Sequence, residues 1–245
     1  MLARLFPDDC RLCHQPLTAF PAVPVCDDCL ASPEPLHSEF FCAQCRTPFL
    51  NASPLNAEGL CGLCSAGLIR FDAAYSYGGY DGPLRTLIHL FKYNRMRPLA
   101  KPLGRLMVSA LPRDERFDAI VPMPIHWRRW LTRGYNQSEL LAREVGARSG
   151  LPVECLLRRS RNTPVQAGLT SRERRLNVKN SFAVPDPARV GGRCILLIDD
   201  VLTTGATLNA ASGALKQAGA ARIAILTLAR PDRRNDYPAR GVTAE

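Results

Sequence analysis

Ile195-Leu196-Leu197-Ile198-Asp199-Asp200-Val201-Leu202-Thr203-Thr204-Gly205-Ala206-Thr207 is the stretch on which the fold turns. Cys194 to Ile198 is a short, unbroken apolar run of the kind that fills an interior strand of a parallel sheet. Thr207 to Gly219 reads as the helix that follows, with Gly219 in the C-terminal cap position. The sequence between them therefore lies at the carboxyl end of a strand, where open α/β sheets bind their ligands.

The residue types of that loop specify the ligand's chemistry. Amides at a helix start are unpaired donors at the positive end of the helix dipole, so Thr203, Thr204, Gly205, Ala206 and Thr207 can wrap a phosphate monoester. Gly205 lets the backbone come close, and the threonine hydroxyls add donors. Asp199 and Asp200 would repel a bare phosphate, so they point to another part of the same ligand: sugar hydroxyls, or a Mg2+ carried by a diphosphate. An acidic pair can also mark nothing more than a solvated strand end. Here two carboxylates, a glycine and three threonines coincide at one strand-to-helix turn.

This run resembles the thirteen-residue signature of the type I phosphoribosyltransferases, which use phosphoribosyl pyrophosphate. By that resemblance Asp199 and Asp200 hold the ribose hydroxyls, and Leu202 to Thr207 hold the 5-phosphate.

A second kind of pattern occupies the N-terminal region, where Cys10/Cys13, Cys26/Cys29, Cys42/Cys45 and Cys61/Cys64 each form a C-x-x-C pair. The sequence starts with no export signal, so these pairs argue for metal and against disulfides. Each turn aims two thiolates at one tetrahedral Zn2+, and two turns complete a closed structural site with no position left for water. Cys10-Arg11-Leu12-Cys13-His14-Gln15-Pro16-Leu17 aligns with Cys42-Ala43-Gln44-Cys45-Arg46-Thr47-Pro48-Phe49, a weak repeat that favours sequential pairing. Spacing alone leaves interleaved pairing open, and leaves a redox role as the rival reading. His14 is taken as a neighbour of the first site. Cys155 and Cys194 stand outside the pattern and read as core residues.

The first ~65 residues are rich in proline and poor in periodic apolar segments, so they need the metal to stay folded. A break near Gly67 to Phe71 divides the chain into residues 1–67 and 68–245. With 46% hydrophobic residues the chain can fill a core, and no apolar run reaches the ~18 to 20 residues that span a bilayer. The expectation is a soluble, cytoplasmic protein.

The formal charge of +10 falls to roughly +6 once each four-thiolate zinc site is counted at about −2. It is also uneven: residues 126–179 hold twelve Arg or Lys against four Glu, whereas residues 1–70 are acidic. Arg outnumbers Lys 28 to 4, a bias that genomic base composition can produce, so it is weak support for nucleic-acid binding. A solvated basic surface is the plainer account of any single Arg outside the motifs.

Ala73 to Tyr77 reads as a strand and Pro83 to Tyr93 as an amphipathic helix with His89 on its surface. The glycines at 78, 79 and 82 lack the G-x-G-x-x-G spacing of a dinucleotide site. Phe117 to Val121 reads as another buried strand, ending in Pro122, Met123, Pro124, Ile125 and His126. Asn136 with Glu139 makes a capping box for a helix to about Ser149, closed by Gly150 and Pro152. Arg129 and Arg133 then flank a proline-bounded loop, with forks suited to a diphosphate. Residues 161 to 182 are polar and basic, fitting either a lid over an anionic ligand or a solvated helical face.

Taken in order, the four C-x-x-C pairs, Val121-Pro122-Met123-Pro124 with Arg133-Gly134-Tyr135-Asn136-Gln137, Thr163-Pro164-Val165-Gln166-Ala167-Gly168-Leu169, and the Ile198 to Thr207 signature resemble the ComF/GntX family. The resemblance covers nearly the whole chain. It implies an α/β fold, a mostly parallel sheet flanked by helices, behind a double zinc ribbon. It implies two structural Zn2+ and a Mg2+ bound with phosphoribosyl pyrophosphate. It also implies an association with natural competence and incoming single-stranded DNA, with DNA-uptake or helicase proteins as partners. By it, Pro122 to His126 is the pyrophosphate loop, Arg129 and Arg133 are its basic neighbours, and residues 161 to 182 form a hood.

Three functions are compatible with these residues. One is a phosphoribosyl pyrophosphate-binding protein of DNA uptake. Another is a phosphoribosyltransferase of nucleotide metabolism acting on a nitrogen acceptor, and the third is a non-catalytic zinc-ribbon interaction protein. No aromatic platform for a base follows Arg230, Tyr237 lying in a polar tail, and aromatics interleaved with Arg are sparse.

Overall fold

The computed structural model describes residues 9–17, 22–125, 131, 133–159 and 181–232. Its first part is made of turns and very short elements: α1 (Asp27–Ala31), an antiparallel pair β1 (Phe40–Phe41) and β2 (Pro48–Phe49), and α2 (Gly62–Ser65). Such pieces bury too little by themselves to hold a shape, as the sparse apolar periodicity indicated.

From Ala73 onward the chain alternates strands and helices: β3 (Ala73–Gly79), α3 (Gly82–Tyr93), α4 (Ala100–Ser109), β4 (Ala119–Pro122), α5 (Gln137–Ser149), β5 (Arg158–Arg159), β6 (Phe182–Ala183), β7 (Cys194–Val201), α6 (Ala206–Gln217) and β8 (Arg222–Arg230). β3, β8, β7 and β4 form one parallel sheet in that order, and β5 pairs with β6 antiparallel. A single parallel bridge from Ile120 to Val153 extends the sheet beyond β4. The helical crossovers are what parallel pairing requires, and they cover the faces.

Side chains alternate between two packed clusters. Leu196, Ile198, Ala224 and Leu226 pack with α3, α4 and α5, and with Cys10, Val23 and Val25 of the first cysteine region. Ile195, Leu197, Ile223 and Ile225 pack with α6, and with Phe49 and all four cysteines of the second. The two cysteine regions thus extend the cores on opposite faces of the sheet.

The linker between them runs along β3, where Leu36 N donates to Tyr77 O at 2.7 Å and Tyr77 Oη donates to Pro33 O at 2.7 Å. That approach needs a glycine, since a Cβ on Gly78 would sit 2.7 Å from the Glu34 carbonyl oxygen and 2.7 Å from Leu84 Cδ2.

Several sequence expectations shift. The strand pattern ends in the two carboxylates as expected, but β7 runs one residue further, through Val201. The helix expected from Thr207 starts at Ala206 and ends at Gln217, with Gly219 at φ 90 two residues beyond. Asn136 caps α5 by accepting from Ser138 N, but Glu139 pairs with Arg143 at 2.6 Å in place of closing a capping box. Cys155 is exposed and Cys194 only partly buried, because the core positions of the 151–157 stretch are taken by Leu156 and Leu157. His89 is exposed, as expected, with Nε2 3.0 Å from Tyr80 Oη.

Candidate functional site

The apolar strand β7 delivers Asp199 and Asp200 to the carboxyl edge of the sheet, and the chain turns at once into Leu202 to Gly205. Gly205 takes the left-handed conformation (φ 73, ψ −4), which only glycine adopts at no steric cost, and α6 begins at the next residue. The first helical hydrogen bond is Asn209 N to Gly205 O at 2.7 Å, so the preceding amides have no carbonyl one turn back. Thr203 and Thr204 are exposed, Gly205, Ala206 and Thr207 partly so, and Thr204 Oγ1 lies 3.5 Å from Ala206 N. The five predicted phosphate-binding residues therefore form one open cradle at a helix N-terminus.

The two carboxylates have different partners. Asp199 Oδ1 accepts from Ser138 Oγ at 2.8 Å, at the start of α5, and from the Asp200 amide at 2.9 Å. Burial, then the adjacent Asp200 charge, push its carboxyl up to about 6 against the opposing pull of Lys92 and these hydrogen bonds. Asp200 Oδ1 sits 2.9 Å from Lys92 Nζ, in the last turn of α3, both side chains being largely buried. Burial works against the lysine's charge, but Asp200, and behind it Asp199, outweigh it and hold Lys92 above its ordinary value. One ammonium thus faces two adjacent carboxylates, leaving the site net acidic and able to accept hydroxyl donors or a divalent cation.

Beside β7, β4 carries the Pro122 to Pro124 loop to the same edge. Met123 N donates to Ile198 O at 2.9 Å, and Asn136 Nδ2 donates to Met123 O at 3.0 Å, so this loop is fastened to both β7 and the start of α5. Arg133 Nη1 bonds Gln137 Oε1 at 3.1 Å, and its guanidinium lies 5.3 Å from the Tyr93 ring centroid, one residue past Lys92. Arg133 thus lies between the start of α5 and the end of α3. Arg129, His126, Tyr237 and all of the 161–182 segment except Ser181 and Phe182 lie outside the described residues.

The eight paired cysteines form two groups in sequential order, Cys10, Cys13, Cys26, Cys29 and Cys42, Cys45, Cys61, Cys64, with all four sulfurs of each within 4.8 Å of one another. Interleaved pairing is thereby ruled out. Cys13 and Cys26 Sγ are 3.8 Å apart, and Cys45 and Cys61 Sγ 3.7 Å. A tetrahedron with Zn–S bonds of ~2.3 Å has edges of about 3.8 Å, so the donors fit structural zinc. Amides already point at sulfur, Cys26 N at Cys10 Sγ (3.4 Å) and Cys61 N at Cys42 Sγ (3.3 Å). The thiols of Cys45, Cys61 and Cys64 hold Cys42 far below the ordinary thiol range.

The second cysteine region is tied to the first turns of α6. Asn209 of α6 accepts from Arg70 N at 2.6 Å and donates to Leu68 O at 3.0 Å. Arg230, at the carboxyl end of β8, donates to Cys45 O at 2.7 Å and to Thr47 Oγ1 at 2.6 Å.

The sequence reading missed Lys92, Ser138, Asn209 and Arg230 as site components. Lys92 carried one signal: in a chain with 28 Arg and 4 Lys, a lysine ending an amphipathic helix is out of pattern. The other three act through contacts 61 to 185 residues apart in the chain, which no local pattern encodes.

Residues 131–241 match the family described as "Phosphoribosyl transferase domain". The chain is 34% identical over 169 residues to "Competence protein F" of Haemophilus influenzae, covering 65% of this chain and 73% of that protein. It is 34% identical over 158 residues to "DNA utilization protein YhgH" of Escherichia coli (strain K12), covering 62% and 69%. Among solved structures, glutamine phosphoribosylpyrophosphate amidotransferase from B. subtilis matches with a TM-score of 0.38 and 18% identity, over 53% of this chain and 26% of that one.

Proposed function

Because the chain belongs to the family of Competence protein F and DNA utilization protein YhgH and carries a phosphoribosyl transferase domain, we propose that it binds phosphoribosyl pyrophosphate with Mg2+. The observation that carries this reading is the succession of Asp199 and Asp200 at the end of β7, the left-handed Gly205 and the open N-terminus of α6. The cradle Thr203 to Thr207 takes the 5-phosphate and the carboxylates take the ribose hydroxyls. The Pro122 to Pro124 loop and Arg133 take the pyrophosphate, with Arg129 assigned there by family resemblance. Mg2+ neutralises the pyrophosphate when bound.

Residues 1–67 act as a double zinc ribbon and residues 68–245 as the ligand-binding unit. This reading places the protein in the cytoplasm, and relatives named for competence and DNA utilization support a role in the use of DNA. Among the described residues no helix is long and apolar enough to cross a membrane.

A transferase reading is favoured by the electrostatics around the sugar. With the ribose on Asp199 and Asp200, their negative charge would face the positive charge that develops as C1 loses its leaving group. The bond from the acceptor nitrogen to C1 forms as the C1–O bond breaks. The electron pair leaves with pyrophosphate, and the acceptor's proton passes to solvent.

Calorimetric titration of the zinc-loaded chain with phosphoribosyl pyrophosphate and Mg2+ tests the reading, beside an Asp199→Asn/Asp200→Asn variant. Binding that disappears in the variant supports it, and absence of binding to the parent chain defeats it. Pyrophosphate release that depends on an added nucleobase separates a transferase from a sensor.

A further inference from the structure

At the opposite end of the sheet from Asp199 and Asp200, a groove of about 770 Å3 opens between the last turns of α4 and α5 and the loop from Leu111 to Asp118 that leads into β4. Asp118 fastens that loop to the start of β7, its amide donating to Cys194 O at 2.8 Å and its carboxylate accepting from Cys194 N at 2.7 Å. The groove therefore belongs to the edge where the strands begin, and the phosphate cradle to the edge where they end.

Its lining is of two kinds. Val108, Leu111, Pro112 and Leu151 supply half-buried aliphatic surface. Arg105, Arg113, Arg116 and Arg148 supply charge. Arg148 is already engaged with Glu144, one turn back on α5. Arg105, Arg113 and Arg116 are exposed and make no hydrogen bond or ion pair among the described residues. The two carboxylates beside them are committed elsewhere: Glu115 to Arg222 at 2.7 Å and to Tyr75 Oη at 2.6 Å, Asp118 to the Cys194 amide. Cations near a helix C-terminus can serve the helix dipole, but Arg113 and Arg116 stand in the loop beyond α4, outside its last turn.

We propose that this groove docks an extended acidic segment of a partner protein, its aliphatic side chains on the apolar floor and its carboxylates on Arg105, Arg113 and Arg116. The arginine forks match carboxylates in charge and geometry, and the aliphatic floor selects a peptide over a bare anion. A nucleic-acid strand fits less well. Single strands are held on open ring faces, whereas Phe117, the only ring lining the groove among the described residues, is 8% exposed. Glu115 and Asp118 also interrupt the basic track that a phosphate backbone would follow. The site stands apart from the phosphoribosyl reading, and a partner bound here leaves the cradle open.

Fluorescence anisotropy on the full zinc-loaded chain tests this, with a labelled synthetic peptide in which leucine alternates with aspartate and glutamate as the probe. Micromolar binding is expected. It should weaken at least tenfold when salt is raised from about 0.05 to 0.5 M, and again when serine replaces the peptide's leucines. Arg113→Glu/Arg116→Glu on the loop and Arg105→Glu on α4 should each weaken it about tenfold, with zinc content and melting temperature as in the parent chain. The same variants are expected to keep phosphoribosyl pyrophosphate binding. No binding, equal binding of the serine peptide, or binding that survives the charge reversals would overturn the proposal. So would an oligothymidylate of equal charge that binds more tightly and is lost in the same variants, which would assign the groove to nucleic acid.

Discussion

Lys92 closes an electrostatic arrangement that is otherwise unfavourable, two adjacent carboxylates held at the end of a buried strand. Its ammonium lies 2.9 Å from Asp200, with side-chain exposures of 15% and 11%. Removing one partner of such a pair leaves an uncompensated charge in a poorly solvated place. Lys92→Met is expected to lower the unfolding free energy by about 3 kcal/mol in urea titrations, and Asp200→Asn in the same chain should restore most of it. Asp199 carries the opposite sign. Its carboxyl is raised from 3.8 to about 6, so between those values the folded chain binds more protons than the unfolded one. Stability contributed by this group therefore falls as pH rises through that window, and at pH 7 the ionised Asp199 is a net cost. Asp199→Asn keeps an oxygen for Ser138 and the Asp200 amide. It is expected to stabilise the ligand-free protein at pH 7 by about 1–2 kcal/mol, because the group retains some solvent, and to flatten the decline between pH 4 and 6. Thermal melts across pH read both effects, and a variant that is no more stable at pH 7 would contradict them.

At the scale of elements, the site is assembled by fastening loops to strands. β4 and α5 are held together through Met123, whose carbonyl takes the Asn136 amide while its own amide bonds Ile198 of β7. β3 plays the same part for the ribbon linker. Gly78 leaves room for the Glu34 carbonyl, and an added Cβ would come within 2.7 Å of it. Backbone cannot yield as the tip of a side chain can, so Gly78→Ala should cost about 1–3 kcal/mol in chemical denaturation. A loss below about 0.5 kcal/mol would show that the linker is free to shift. The existence and type of these elements were readable from period and capping residues. Their ends were not: β7 continues past the apolar run because Asp199 and Val201 still pair with Thr227 and Ala229 of β8, a condition set by the neighbouring strand.

Across the whole molecule, the two cysteine regions are parts of the cores and not appendages, since each packs with one face of the sheet. Metal analysis is expected to find two zinc ions per chain. Cys42→Ser, at a fully buried sulfur in the cluster next to the phosphate cradle, should cost more than about 3 kcal/mol, a fraction of the roughly 10–16 kcal/mol that structural zinc contributes. It should also weaken ribose 5-phosphate binding, whereas Cys13→Ser, at an exposed sulfur beside the opposite face, should leave that binding intact. Calorimetry with ribose 5-phosphate on the two variants checks this, and equal loss in both would mean the clusters act only through global stability.

What the sequence determined by itself was everything encoded within a few consecutive residues. The strand, carboxylate pair, glycine turn and helix start of 195–207, the four C-x-x-C turns, and the Asn136 start of α5 are local because each depends on backbone geometry over one turn or one strand. What only the tertiary structure decided was which distant pieces meet. Lys92 neutralises Asp200, Ser138 holds Asp199, Arg230 clasps Cys45, and the cysteine pairs combine in order. Those meetings follow from the strand order and from which core each helix covers. That order is settled by long-range burial, so no short stretch of the chain contains it.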